Sequence, residues 1–436
     1  MLVYCHPGRI ERIVYMKKKE LFNNIIGYDD IKNTLKKIID VINNEEKYKK
    51  LGCDIPHGLM LYGEPGVGKT TFAYEIINSC PTRKCFVIRK NKADGSFINY
   101  INNIFKDAVK NSPSIILLDD LDKYSIDDDK DNKEEFVTIQ SLMDDVKKKN
   151  VFVIATVNNR RVLPYSLLRS GRFDIQIEIE EPDEEDSYKI IEHYLKKKKV
   201  DMNINFKNIA FILSGASAAS IEKVCNQAGL YAGYNNKDKI EWDELLRASL
   251  EYSYDVIIED MNKEDKYALE TAYHEAGHTL ISELLNPGSI AYVSILKNEG
   301  AISGTTKKHQ NKYFSDDIKY KLDAIKVSLA GKAATEIVFN KCDVGTSSDL
   351  DKVYRYADNI INDFCSNEFL SRLRNNYKYS QMASEFSDNK VSNLITSNYE
   401  EVKKLLISNR NKLDLLANTL VEKKILFEQD IQKIIV

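Results

Sequence analysis

The chain has 436 residues, which at roughly 150 residues per domain points to about three folding units rather than one core. Hydrophobic residues make up 43% and charged ones 30%, with a mean hydropathy of -0.40, a composition that can fill cores and excludes extended disorder, collagen-like repeats and a membrane-embedded chain. Lys+Arg 63 against Asp+Glu 66 leaves a formal net charge of -3, so no basic excess points to nucleic acid or to an anionic bilayer.

The first twenty residues (MLVYCHPGRIERIVYMKKKE) break every apolar run with Arg9, Glu11, Arg12 and three lysines. They read as an N-terminal tail, 1–20, without a signal-peptide core. No apolar run long enough to span a bilayer occurs in the chain; no integral membrane span is expected, and peripheral attachment stays open. The seven cysteines are odd in number and form no CxxC pair, which argues for free thiols in a reducing, cytoplasmic setting and against disulfides or a cysteine zinc site.

From 21 to 182, short β-rich runs alternate with charged helical stretches, the pattern of a parallel α/β sheet flanked by helices. The runs are GLMLY (58–62), KCFVI (84–88), SIILL (114–118), VFVIAT (151–156) and IQIEI (175–179). Strand signal then gives way to helical periodicity over 183–252, a small all-α lid. A charged linker follows at 253–265. The rest, 266–436, is mainly α-helical with one β-like segment near Ala291 to Thr306. The acidic run 127–135 and the lysine runs at Lys147 and Lys196 are solvated, the default for charge blocks.

GLMLY leads into Gly63-Glu64-Pro65-Gly66-Val67-Gly68-Lys69-Thr70, followed by Thr71. This is the P-loop pattern. Its backbone amides turn inward around phosphates, Lys69 reaches the outer phosphate oxygens of ATP, and Thr70 offers a hydroxyl to Mg²⁺ at a helix N-terminus. SIILL ends in Asp119-Asp120, where one carboxylate can hold Mg²⁺ and the other can polarise water. VFVIAT runs on to Asn158, and LLRSGRFD carries Arg169 and Arg172. This order resembles the AAA+ ATPases. The resemblance implies that Asn158 senses the terminal phosphate and that Arg169 and Arg172 reach a neighbouring subunit's nucleotide in a ring.

The helical stretch 266–285 contains His274-Glu275-Ala276-Gly277-His278. Residues i and i+4 share a helix face, so both imidazoles can bind one Zn²⁺ while Glu275 acts on water. A chain of this composition contains on the order of 0.01 such motifs by chance. Gly277 lowers helix propensity with no packing reason visible in the sequence. A third ligand is required. No HxxGxxH extension follows, which excludes the metzincin version. Asp349, opening a helix after the small-residue turn VGTSS, is the first candidate. On its own it could equally be an N-cap, with Asp343, Asp351 and Glu336 as alternatives.

An AAA+ module followed by YHEAGH and GTSSDL resembles the FtsH family of ATP-dependent zinc metalloproteases. The resemblance runs from about Phe22 to the C-terminus and includes IIGYDDIK with Gly27, KLGCDIPHGLML, and LAGKAATEIVF with Gly331 and Glu336. It implies His274, His278 and Asp349 as zinc ligands, Glu275 as general base, polypeptide substrates and a homo-hexameric ring. Departures from the family pattern are the absent N-terminal membrane helices and Asp120 in place of glutamate. The lid signal is also altered to Ser217-Ala218-Ala219-Ser220, and no aromatic-hydrophobic-glycine triplet occurs in 89–100, where Phe97 or Tyr100 would have to grip substrate. Two rivals follow: a zinc peptidase whose AAA+ part binds ATP as an assembly scaffold, and a non-proteolytic chaperone ring.

Overall fold

Apolar strands buried on both faces are what a parallel sheet between two helix layers requires. The computed structural model describes residues 2–5, 9–12, 21–90, 97–124, 134–147, 149–169, 171–254, 267–297, 303–309, 317–341, 347–363 and 381–435. Strands β1 (Leu2–Cys5), β2 (Arg9–Arg12), β3 (Gly58–Tyr62), β4 (Lys84–Ile88), β5 (Ser114–Leu118), β6 (Val151–Val157) and β7 (Ile175–Glu178) form one sheet in the order β2-β1-β4-β5-β6-β3-β7. All neighbours are parallel except β1 and β2. The stretch expected to be only a tail therefore contributes an antiparallel hairpin at the sheet edge. Because β5, β6 and β3 are adjacent, the loops leaving their C-terminal ends share one rim, where ligands bind in such sheets.

Helices α1 (Asp29–Asn43), α2 (Glu45–Lys49), α3 (Lys69–Asn78), α4 (Phe97–Lys110) and α5 (Glu134–Val146) accompany this sheet. Phe105, Phe136 and Met143 of α4 and α5 pack on Met60, Ile116 and Val153 of the strands. Phe97 belongs to the same core, its ring edge-on to Tyr124 with centroids 5.1 Å apart. The Tyr100 hydroxyl donates to the Val87 carbonyl at 3.3 Å. Both aromatics offered by the sequence as substrate grips thus point inward, because their apolar rings complete the layer over β4. Residues 91–96 of that stretch lie outside the described residues.

The chain divides into two compact units, Met1–Met202 with Leu213–Glu241, and Asn203–Ile212 with Trp242–Val436. The helices of 183–252 are shared between them. In the first unit, α6 (Glu184–Leu195) is capped by Asp183 and α8 (Ala218–Tyr234) by Ser217. In the second, α7 (Phe206–Ile212) and α9 (Trp242–Tyr254) lay Ile212, Leu250 and Tyr254 on Ala291, Tyr292 and Leu296 of a small sheet.

That sheet has the order β10-β8-β9, from β8 (Ile290–Lys297), β9 (Ser303–Lys308) and β10 (Ile425–Phe427), all antiparallel. Helices α10 (Ala268–Leu285), α11 (Ile318–Phe339), α12 (Ser347–Asp358), α13 (Gln381–Ser408), α14 (Arg410–Lys423) and α15 (Glu428–Ile435) complete the unit. Among the described residues no helix is long and apolar enough to cross a membrane.

Every residue of α10 from Glu275 to Glu283 is buried. A helix enclosed on all sides must satisfy its polar groups internally. Ser282 shares a hydrogen bond with Ser289 at 3.0 Å, and the Glu283 carboxylate accepts from the amides of Gly288 and Ile290 and from the side chain of Gln432 at 2.7 to 2.8 Å. Gly277 has a packing reason after all. A Cβ placed there would stand 2.5 Å from the Ala330 carbonyl oxygen and 2.8 Å from the Ala334 methyl of α11. Gly277→Ala should therefore lower the calorimetric midpoint, because overpacking costs roughly 1–3 kcal/mol against a helix-propensity gain of about 1 kcal/mol. An unchanged or higher midpoint would show that the two helices separate without penalty.

Candidate metal and nucleotide sites

The close pairing of α10 with α11 brings the motif histidines against Gly331. A Cβ on Gly331 would lie 2.5 Å from His278 Nε2 and 2.6 Å from His274 Cε1, so only glycine leaves room for both rings. His278 Nδ1 stands 2.6 Å from the Val327 carbonyl. A carbonyl only accepts, so Nδ1 carries the proton and Nε2 turns its lone pair the other way. There it meets His274 Nε2 at 3.0 Å. Asp349, in the first turn of α12, brings Oδ2 to 3.4 Å from His274 Nε2 and 3.2 Å from His278 Nε2.

These spacings answer whether the residues fit a metal. Ligand atoms about 2.1 Å from a tetrahedral zinc stand roughly 3.4 Å apart, and the observed separations of 3.0, 3.2 and 3.4 Å come within a few tenths of an ångström of that value. Burial pushes the Asp349 carboxyl up, but when the imidazoles are protonated their hydrogen bonds and the charges of His278 and Lys352 outweigh it and hold the group well below the usual carboxylate range; when they are neutral, the same Nε2 atoms offer lone pairs instead. Lys352 Nζ donates to the second Asp349 oxygen, Oδ1, at 3.2 Å. The alternatives are placed differently. Glu336 is engaged by Tyr399, Lys403 and Lys332, whose hydrogen bonds hold it at about 2. Asp351 is exposed, and Asp343 lies outside the described residues.

Glu275 is enclosed beside this cluster. Burial raises its pKa against the lowering influence of His278 and His274. Thr306 of β9 donates to Oε2 at 2.7 Å, and a Cβ on Gly304 would come within 2.5 Å of Oε1. The carboxylate is thus fixed on one oxygen and given clearance at the other. Thr306, Gly304 and the Val327 carbonyl were missed by sequence reasoning. Only the β-like segment near 291–306 hinted that a strand would flank the motif.

The first unit gathers the nucleotide-type residues. Lys69 is buried at the start of α3, its ammonium donating to the carbonyls of Gly63 at 2.8 Å and Glu64 at 2.6 Å; desolvation lowers its pKa. Asp119 Oδ1 accepts from Thr70 Oγ1 at 3.1 Å and Thr156 Oγ1 at 2.7 Å. Asp120, with φ 54, accepts from Asn158 Nδ2 at 3.2 Å. Asp122 holds the Asn158 amide at 3.0 Å. Pro65, Gly66 and Thr71 are exposed, whereas Val67 is buried. Gly66 packs against Ser217 at the start of α8, and Gly27 against Asp186 of α6.

Arg169 and Arg172 do not join this cluster. Arg172 donates to Asp144 Oδ2 at 2.8 Å and to the Ser166 carbonyl at 2.5 Å, and its hydrogen bonds, with those of Lys147, hold Asp144 at about 2. Arg169 is exposed, its guanidinium 5.6 Å from the ring centroid of Tyr165, which is exposed too.

A P-loop ATPase segment followed by a two-histidine, one-carboxylate peptidase-type centre defines the class. Residues 59–181 match the ATPase family associated with various cellular activities (AAA), and residues 260–434 match peptidase family M41. The chain is 28% identical to ATP-dependent zinc metalloprotease FtsH 2 of Thermoanaerobacter sp. (strain X514), over 96% of this chain and 83% of that protein. It is 27% identical to ATP-dependent zinc metalloprotease FtsH of Bacillus subtilis (strain 168), over 96% and 70%. With the protein of the same name from Rickettsia bellii (strain RML369-C) it shares 29%, over 96% and 70%. The order of the two matches and the likeness to FtsH proteins over 96% of the chain bear out its resemblance to the ATP-dependent zinc metalloproteases of that name.

Asp349→Ala should lower zinc affinity by more than the roughly 10–100-fold that removing an outer-shell partner costs. Gly331→Ala should also lower it by crowding the rings. Metal analysis after dialysis against a competing chelator measures both; full zinc content in Asp349→Ala would return that residue to a helix-start role.

Proposed function

We propose that the chain is an ATP-dependent zinc endopeptidase in which His274, His278 and Asp349 hold Zn²⁺ and Glu275 is the general base. The observation that carries this reading is the convergence of three ligand atoms beside a buried carboxylate. Zinc, when bound, supplies a Lewis acid toward a peptide carbonyl and lowers the pKa of water. Glu275 takes the proton from the attacking water and returns it to the leaving amine, a role suited to a carboxylate whose pKa burial has raised. Thr306 keeps Oε2 engaged so that the transfer runs through Oε1. His278, oriented by the Val327 carbonyl, and His274 present unprotonated Nε2 atoms to the metal.

In this reading residues 21–182 with the lid helices α6 and α8 form the ATPase module, and 266–436 with α7 and α9 the peptidase module. Gly63 to Thr71 and Gly27 surround ATP, Asp119 and Thr70 hold Mg²⁺, and Asp120 and Asn158 face the terminal phosphate and its attacking water. The ring is a homo-hexamer acting on polypeptides in the cytoplasm. Arg169 is the arginine that reaches a neighbour's nucleotide, because it is exposed, whereas Arg172 is already committed to Asp144 and Ser166 within its own chain.

Glu275→Gln should lower casein cleavage by roughly 10²–10⁴-fold, the range of general acid–base catalysis, while zinc content and ATP turnover stay near wild type. Retained proteolysis would remove the assignment. Lys69→Ala should abolish ATP binding, and casein cleavage by the wild type should require ATP over ADP or no nucleotide. Arg169→Ala should keep ATP binding but lose turnover by about 10³-fold, the lower end for an arginine finger. Full turnover in that variant, measured by phosphate release, would move the role elsewhere.

A further inference from the structure

The parallel register of β4 and β5 sets Ile88 opposite Leu118, and the Asp119 amide donates to the Ile88 carbonyl at 3.0 Å. The residue after Ile88 is therefore delivered to the same rim as Asp119. That residue is Arg89. Its Nε donates to Asp119 Oδ2 at 2.8 Å, and its Nη2 donates to the Tyr74 hydroxyl at 3.1 Å. Tyr74 lies one turn beyond Thr70 on α3, so the guanidinium is braced by the same helix that supplies the Thr70 hydroxyl.

With Thr70 and Thr156 on Oδ1, both oxygens of Asp119 are engaged. The carboxylate is almost buried, at 9% exposure, whereas Arg89 is 52% exposed. The neighbouring acid has a cation as well, since Lys123 Nζ donates to Asp120 Oδ2 at 2.6 Å. Lysine could lose its proton if burial demanded it, but the guanidinium stays charged. Asp119 thus carries a permanent positive charge on an oxygen that a divalent cation would take.

We propose that Arg89 is a positioning residue that acts through Asp119: an internal cation that competes with Mg²⁺ for the carboxylate and so sets how strongly nucleotide binding depends on Mg²⁺. The inference rests on the reading of this rim as an ATP site. Arg89 is half in solvent and can swing outward, so the competition shifts Mg²⁺ binding and does not block it. Removing the guanidinium leaves Oδ2 open to the metal. A lysine at the same position keeps a cation within reach of the carboxylate.

The experiment titrates Mg²⁺ into the full-length protein with a fluorescent ADP analogue after EDTA treatment and reads the Mg²⁺ midpoint of nucleotide binding. Arg89→Gln should move that midpoint about tenfold lower than wild type, and Arg89→Lys should stay within about threefold of wild type. Coincident midpoints for wild type and Arg89→Gln would overturn the proposal, as would an equal shift in Arg89→Lys. If wild type binds no nucleotide at any Mg²⁺ concentration, the ATP-site reading itself fails and the proposal falls with it, an outcome distinct from coincident midpoints.

Discussion

The approach of α11 to α10 is the contact on which the peptidase-type centre depends. At Gly277 the backbone of α11 lies where a methyl group would otherwise sit, and at Gly331 two imidazoles take the same kind of space. Interiors are packed at crystal-like density, so such a contact cannot widen without opening voids elsewhere. The same closeness lets the Val327 carbonyl of α11 reach His278 Nδ1 and thereby decide which nitrogen faces Asp349. One steric constraint thus sets the packing of the unit, the tautomer of a ligand and the volume left for a metal.

Both sites use carboxylates withdrawn from water and anchored by hydroxyls. Asp119 is held by Thr70 and Thr156, and Glu275 by Thr306. A buried carboxylate without partners would be too costly to keep charged, whereas a neutral hydroxyl donor steadies one oxygen without adding charge. The treatment of the second oxygen separates the two. Glu275 Oε1 faces the clearance left by Gly304 and remains available for proton transfer. Asp119 Oδ2 is met by Arg89, which turns a potential metal ligand into an ion pair.

The small three-stranded sheet explains why the helices of 183–252 are divided. Its β8 strand carries apolar residues on successive positions, Ala291, Tyr292 and Val293, all buried. One face meets α10 and the other requires a cover, which Ile212, Leu250 and Tyr254 supply. The Tyr254 and Tyr292 hydroxyls close that cover with a 3.0 Å hydrogen bond. Helices that read in sequence as one lid therefore pack as parts of two units, since their apolar faces were complementary to different surfaces.

The five core strands, the P-loop and the His274–His278 pair were legible from sequence because each rests on a local pattern: short apolar runs between charged stretches, glycines at fixed offsets, and i, i+4 on a helix face. Asp349 needed the family resemblance, since an offset of 71 residues from His278 follows no spacing rule and an aspartate at a helix start has a commoner meaning. The inward turn of Phe97, the commitment of Arg172 to Asp144, the pairing of β1 with β2 at the sheet edge and the roles of Gly277, Gly331, Thr306 and Arg89 were decided only by tertiary structure. Each of these depends on which atoms a neighbouring element brings within a few ångströms, and a period along one segment holds no information about the surface it will meet. Sequence alone determined the chemistry the chain carries; the packing of α11 on α10 and of β4 beside β5 decided which side chains share a site.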